Sequence, residues 1–252
     1  MKLNEQITDW LENYLLRNNL KCFVVGVSGG IDSALTSTLC AKTGIKTIVV
    51  SLPILQESSQ LTRARNHIKW LEDKFYNIKS YEYDLTETFE SFVSLFSEKN
   101  DLSLANSRAR LRMTALYQIA STHDGIVVGT GNKIEDFGIG FFTKYGDGGV
   151  DISPIADLKK SEVFSMAKEF GIIEEIIIAS PTDGLWYDNR NDEEQIGATY
   201  DELEKIMDCN DPNSLSTQRE IEVYNIYQNL NKKNKHKMEK IPIFKRNEIY
   251  TN

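Results

Sequence analysis

Cysteine is scarce in this chain: three residues, Cys22, Cys40 and Cys209, form an odd and scattered set with no C-x-x-C pair. No disulfide framework is expected from them, and buried free thiols in a reducing compartment are. No apolar run approaches the roughly 20 residues needed to span a bilayer, so no membrane partner is expected. The first residues, MKLNEQITDWLENYLL, carry acids and alternate polar with apolar side chains, which is not a secretory signal. A cytoplasmic protein is the reading that follows. Internal repeats and long linkers are absent as well, and residues 1–252 are expected to form a single domain. Positive charge is in deficit: the net charge of −8 argues against broad contact with a nucleic-acid backbone.

What is present is ordinary in bulk and uneven in detail. Hydrophobic residues make up 40% and charged residues 26%, near globular averages, which excludes disorder and fibres. Residues 183–196, DGLWYDNRNDEEQI, are acidic, whereas Lys232, Lys233, Lys235, Lys237, Lys240, Lys245 and Arg246 form a basic tail broken only by Glu239. Such a tail is a solvated surface or a contact for a small anionic substrate.

Leu3, Ile7, Trp10, Leu11, Tyr14 and Leu15 recur at helical spacing and predict an amphipathic opening helix. After it, CFVVGV, KTIVVSLP, IKSYEYDL and GIVVGT read as strands, apolar throughout. The helical stretches IDSALTSTLCAK, SQLTRARNHIKWLEDKF, TETFESFVSLF and NSRARLRMTALYQIAST separate them. That alternation predicts an α/β, doubly wound, Rossmann-like parallel sheet with helices on both faces. Ligands of such a fold bind beyond the carboxyl ends of the strands, where GVSGG and GTGN both fall. From Lys160 onward the pattern is mainly helical.

FVVGVSGGIDSAL, residues 23–35, admits two readings. Gly26-Val27-Ser28-Gly29-Gly30 satisfies G-x-S-x-G, the elbow of a serine hydrolase with Ser28 as nucleophile, which needs a later acid and histidine. His67 sits mid-helix as a surface or packing residue, His123 ends a helix where a cation suits the dipole, and His236 lies in the lysine-rich tail. The other reading is a phosphate cradle. Gly29 and Gly30 allow close approach, the N–H groups opening the next helix point at the anion, and Ser28 and Ser33 add hydroxyls. Asp32 would repel a bare phosphate; it either caps the helix or holds a divalent cation against the phosphates. A Walker A loop is excluded, because no G-x-x-x-x-G-K-[ST] occurs. Glu135 follows a later strand end and can reach the same cation, as a Mg²⁺ pair with Asp32, or is an exposed loop acid.

SGGIDSAL after a strand resembles the pyrophosphatase loop of ATP-using, AMP-forming enzymes, among them GMP synthetase, asparagine synthetase, tRNA-thiolating enzymes and NAD synthetase. The stretch 129–162, with FFTKYGDGG at its centre, is similar to the characteristic region of NAD synthetases. The resemblance continues in NSRARLRM, SPTDGLW, NDEEQIGATYDELE and HKM, spanning Phe23 to about Lys237. It implies an adenine nucleotide alpha hydrolase-like fold and amidation of deamido-NAD with ammonia and ATP, giving NAD, AMP and pyrophosphate through an acyl-adenylate. Under the resemblance Gly26, Val27, Ser28, Gly29, Gly30, Ile31, Asp32 and Ser33 wrap the ATP phosphates, and Thr130, Lys160 and Thr182 also contact ATP. Asp32 and Glu135 bind Mg²⁺, and Asp32 and Lys160 carry catalysis. Arg110, Lys144, Asp151, His236 and Lys237 match positions that contact deamido-NAD.

This sequence departs from the family pattern in three places. One residue more than usual separates Glu135 from FFTKYGDGG, Met238 follows His-Lys where arginine is frequent, and Asp183-Gly184 varies after Thr182. With the synthetase region beginning about 20 residues into the chain, no glutamine amidase domain is expected, and free ammonia is the expected nitrogen donor. The family implies a homodimer; the apolar residues of the first helix and of the YQIASTH helix suit either that surface or the monomer core. Another pyrophosphatase-loop ligase or a tRNA-modifying enzyme is the competing class, and acidic charge disfavours the latter.

Overall fold

Four short strands with small or turn-forming residues at their ends carry the architecture. The computed structural model describes residues 1–182, 191–209 and 211–246. Helix α1 (Leu3–Arg17) leads into β1 (Cys22–Gly26), α2 (Ile31–Lys42), β2 (Thr47–Ser51), α3 (Ser58–Lys74) and β3 (Ile78–Glu82). Helices α4 (Thr86–Ser94) and α5 (Asp101–Thr122) then precede β4 (Gly125–Val127) and a π-helical turn over Lys133–Ile139. The remainder is helical: α6 (Lys160–Phe170), α7 (Glu174–Ile177), α8 (Asp192–Ile196), α9 (Tyr200–Met207) and α10 (Gln218–Met238).

The strands form one parallel sheet in the order β3-β2-β1-β4. Because successive side chains alternate between faces, the register decides which helix each residue meets. Val24 pairs with Ile48 and Val127, so these residues, with Cys22 and Val50, share the face that α5 covers through Leu116, Ile119 and Ala120. Phe23, Val25 and Ile126 point the other way, against Leu11 and Leu15 of α1, Leu35 and Leu39 of α2, and Val163 of α6. On that second face Val49 meets Ala64, Ile68 and Leu71 of α3. Both faces are therefore covered, as an all-parallel sheet requires.

Two expectations need correction. β3 is not apolar throughout: Ile78, Ser80 and Tyr81 are half-buried and Lys79 and Glu82 exposed, because an edge strand has one neighbour and charges on it discourage further pairing. The buried stripe of α1 is also narrower than its apolar pattern. Ile7, Leu11 and Leu15 enter the core, while Leu3 and Trp10 remain exposed. Among the described residues no helix is long and apolar enough to cross a membrane.

Of the two readings of His67, packing is the one observed. Its ring is fully buried, stacks on Trp70 with centroids 5.4 Å apart, and places Nε2 3.0 Å from the Ser37 hydroxyl. Burial pulls its pKa down to about 4, because a charged imidazolium would lose its hydration without gaining a counter-charge. A depressed base leaves the unfolded chain binding more protons between its unfolded value, about 6.5, and 4, so stability is intact above that window and falls as pH drops through it. Between pH 7 and pH 5 this one group removes about 2 kcal/mol. Urea titrations at both pH values should show that extra loss in the wild type and not in His67→Gln; equal losses would contradict it.

Candidate active site

The carboxyl ends of β1, β2 and β4 open into a cleft of about 290 Å³, where a doubly wound sheet presents its ligand site. The loop from Gly26 to Ser33 forms one wall, Leu52, Pro53 and Gln56 a second, and Thr130, Gly131 and Glu135 a third; Lys160 and Thr182 also line it. Gly30 is the N-cap of α2, so the N–H groups of that helix's first turn stand at this wall. Gly29 adopts φ +87°, and a Cβ there would lie 2.4 Å from the Gln60 carbonyl oxygen, so the turn can pass beneath α3 only as glycine. The Ser28 hydroxyl accepts from Gly30 N–H at 3.2 Å and lies 3.1 Å from the Ser33 hydroxyl. His67 is engaged by Ser37, and Ser28 has no histidine against it among the described residues. The elbow reading fails on that geometry.

Asp32 is the second residue of α2, and its carboxylate does not cap the helix. It accepts from Lys160 Nζ at 2.6 Å and from Asn132 Nδ2 at 3.1 Å. Glu135, on the π-helical turn, accepts from the same Nζ at 2.9 Å. Lys160 opens α6, is only 3% exposed, and has the Tyr200 ring 4.7 Å from its ammonium. Tyr200 donates to the Glu135 Oε1 that Lys160 also uses, at 2.5 Å, and Asp192 Oδ2 lies 3.3 Å from the same hydroxyl. Burial alone would neutralise Lys160, but the two carboxylates outweigh it and hold the ammonium charged. Burial also pushes both acids up. In Asp32 it prevails over the lysine, whereas in Glu135 Lys160 and the Tyr200 hydrogen bond outweigh it and the carboxyl is lowered.

The ammonium marks a point at which oxygens from two strand ends converge, which is how a protein offers carboxylates to Mg²⁺ while leaving room for waters and phosphates. The residues therefore fit the metal, which would exclude Lys160 Nζ from that point. The surrounding charge supports the same reading. Asp136, Asp147 and Asp192 also line the cleft, with Arg63, Arg112 and Lys160 as its cations. Burial first, then Asp147, Glu135 and Asp32, hold the Asp136 carboxyl well above the ordinary range. A polyanion entering this cleft meets at least as much negative as positive charge unless a cation accompanies it. Burial also draws Arg112 down to about 10; its Nε donates to the Leu52 carbonyl at 2.9 Å and Nη2 to Gln56 Oε1 at 2.9 Å, fixing the wall at the end of β2.

Four of the other predicted residues gather on the 142–147 loop beside the cleft. Arg110 donates from Nη2 to the Lys144 carbonyl at 3.3 Å, Lys144 Nζ to the His236 carbonyl at 2.8 Å, and Lys237 Nζ to the Phe142 carbonyl at 2.7 Å. Asp151 stands apart. Its carboxylate accepts from Val127 N–H at 2.8 Å and from the Tyr117 hydroxyl at 2.9 Å, tying the end of β4 to α5. Asp183 and Gly184 lie outside the described residues, as does most of the acidic stretch that follows, up to 190. Tyr200, Asn132, Asp136, Asp147 and Arg112 were not singled out from the sequence. The signal for Tyr200 was slight: it heads YDELEKIMD, where its apolar ring is explained by helical periodicity alone.

The residue added between Glu135 and FFTKYGDGG falls in or beside the π-helical turn, which holds more residues per turn than an α-helix. Gly140 ends that turn at φ +65°, where a Cβ would meet Asn234 Cβ at 2.5 Å.

The family described as NAD synthase matches residues 3–242 of the chain. The NH(3)-dependent NAD(+) synthetase of Finegoldia magna is 37% identical over 209 residues, 82% of this chain and 83% of that protein. Its counterpart from Carboxydothermus hydrogenoformans is 34% identical over 242 residues, 92% of this chain and 93% of that one. Among solved structures, the NMN synthetase of Francisella tularensis superposes with a TM-score of 0.85 at 32% identity, over 97% of each chain. With a glycine loop, a carboxylate pair and a lysine assembled at the sheet's carboxyl edge, and with these matches running nearly end to end, the chain belongs to the NAD synthase family.

Proposed function

We infer that the chain is a ligase that amidates deamido-NAD with ammonia at the expense of ATP, releasing NAD, AMP and pyrophosphate. The observation that carries the reading is the convergence of Asp32, Glu135 and Lys160 at the mouth of the Gly26–Ser33 loop. A carboxylate resists attack by ammonia, because its charge repels the nucleophile and oxide is a poor leaving group. The nicotinate oxygen therefore attacks the α-phosphorus of ATP, the bond to pyrophosphate breaks, and an acyl-adenylate forms. Ammonia then attacks the carbonyl carbon, AMP leaves, and the nitrogen loses a proton. The loop N–H groups offset charge on the phosphoryl oxygens and are oriented before reaction, so they need little reorganisation. Lys160 adds its charge there once displaced by a metal from between Asp32 and Glu135. Asp32 and Glu135 would hold Mg²⁺, which when bound neutralises phosphate oxygens. Leu52, Pro53 and Leu116 give the adenine an apolar wall, and Thr130 and Thr182 lie on the same cleft.

Arg110, Lys144, His236 and Lys237 take the deamido-NAD side in this reading, the first two and the last as cations for its phosphates, while Asp151 holds the end of β4 against α5. We further propose a single synthetase domain working in the cytoplasm as a homodimer. Phe92, Leu95, Phe96 and Leu102, on and between α4 and α5, are exposed and supply an apolar surface for a second copy. A second substrate reading has its own support. The Francisella tularensis protein that superposes over nearly the whole chain is named an NMN synthetase, and nicotinate mononucleotide carries the same carboxylate.

The deciding assay supplies ATP, Mg²⁺ and ammonium with either deamido-NAD or nicotinate mononucleotide. NAD and AMP in equal amounts, with deamido-NAD the better substrate by kcat/KM, is the expected outcome. Preference for the mononucleotide would replace the substrate, and AMP formation with neither would refute the reaction. Asp32→Asn should cut pyrophosphate release about 100-fold or more with the fold retained by circular dichroism; a near-wild-type rate would remove its metal role. Lys144→Ala should raise KM for deamido-NAD about 10-fold and leave that for ATP unchanged, since Lys144 stands outside the nucleotide cleft. Weakened ATP binding instead would reassign it.

A further inference from the structure

Tyr200 is buried in the small helical cluster beside the π-helical turn, among Ile134, Ile139, Leu203 and Val223. Its ring has an obvious structural use there. Its hydroxyl does not share that use, because it leaves the apolar cluster to donate to Glu135 Oε1 at 2.5 Å. The main-chain N–H of Tyr200 donates to Glu193 Oε1 at 2.8 Å, so the residue is held at both ends.

Glu135 Oε1 thus has two donors, Lys160 and Tyr200. They behave differently when a divalent cation takes the point between the carboxylates. Lys160 Nζ lies at that point and must withdraw, both by exclusion and by repulsion between like charges. The neutral tyrosine hydroxyl approaches from the side of α9 and stays. Glutamate has three rotatable side-chain bonds, so without a remaining donor its carboxylate is free to turn away from the metal as Lys160 leaves. Outer hydrogen bonds of this kind orient metal-binding carboxylates generally.

We propose that Tyr200 is a positioning residue of the synthetase, its hydroxyl holding Glu135 in the metal-binding orientation once Lys160 has been displaced. The proposal rests on the reading of Asp32 and Glu135 as metal ligands. Its test is Mn²⁺ binding, followed by electron paramagnetic resonance, to full-length wild type, Tyr200→Phe and Glu135→Gln in the presence of a non-hydrolysable ATP analogue. Phenylalanine keeps the ring in its cluster and deletes only the hydroxyl. Tyr200→Phe should weaken Mn²⁺ about 10-fold or more, raise the Mg²⁺ activation constant in parallel, and leave KM for the nicotinate substrate and the melting temperature near wild type. A purely structural tyrosine would leave Mn²⁺ affinity unchanged in Tyr200→Phe while Glu135→Gln lost it, and that result overturns the proposal alone. Unchanged affinity in Glu135→Gln would overturn the metal assignment and the proposal with it. Should Tyr200→Phe fold poorly, 3-fluorotyrosine at position 200 provides the second measurement. It retains the shape and alters donor strength, and identical Mn²⁺ affinity would again count against the role.

Discussion

A single buried ammonium organises this molecule. Lys160 Nζ joins Asp32, just past β1, to Glu135, just past β4, and belongs itself to the first residue of α6. Three segments more than a hundred residues apart in their extremes are fixed relative to one another at the mouth of the glycine loop. Such a cluster is a poor source of stability: desolvating three charged groups consumes most of what their attraction returns, and an apolar replacement of equal volume is often no less stable. Its value lies in what it positions. Two carboxylates from different strand ends face one point, and the lysine between them keeps them from repelling each other.

The placement follows from topology. In a parallel sheet every strand delivers its carboxyl end to the same edge, so residues following β1, β2 and β4 meet without long excursions. The glycine loop uses the first of these ends, the Leu52–Gln56 wall the second, and the π-helical turn the third. Arg112 reaches from α5 to the Leu52 carbonyl and Gln56, so the helix covering one face of the sheet also braces one wall of the cleft.

Much of this was legible in the sequence, and for identifiable reasons. Runs such as CFVVGV and TIVVS fill a sheet covered on both faces and announce themselves by composition; IKSYE, an edge strand, was legible as a strand but not as a half-exposed one. Asp32 stood out because an acid inside a phosphate cradle repels a bare phosphate, and Glu135 because it follows another strand end. Tyr200 did not stand out, since its ring satisfies a helical apolar pattern and only its hydroxyl reaches the carboxylates of Glu135 and Asp192. Asp136 and Asp147 were hidden by neighbours: one adjoins Glu135 and the other sits in a turn that glycines already explain. Asp151 shows the opposite case. Both its oxygens are committed to Val127 and Tyr117, a use that local sequence cannot express because it depends on how β4 approaches α5.

The C-terminal helix ties the two halves of the site together. Asn231, Asn234 and Lys237 lie three residues apart on one face of α10 and donate to the carbonyls of Gly138, Ile139 and Phe142. The first two of those carbonyls would otherwise end the π-helical turn without an intrahelical partner, which is costly where water is largely excluded, and the third lies in the loop beyond it. The same turn carries Glu135, and the loop that follows it carries Lys144, whose ammonium returns to the His236 carbonyl on α10. One helix therefore sets the register between the Glu135 carboxylate and the cations gathered on the 142–147 loop. The adenylate route proposed above needs a nicotinate oxygen held in line with an α-phosphorus, and in-line alignment of two separately bound anions demands that their binding groups share one rigid support. On that proposal the support is the array of side-chain donors from α10 to the carbonyls of Gly138, Ile139 and Phe142.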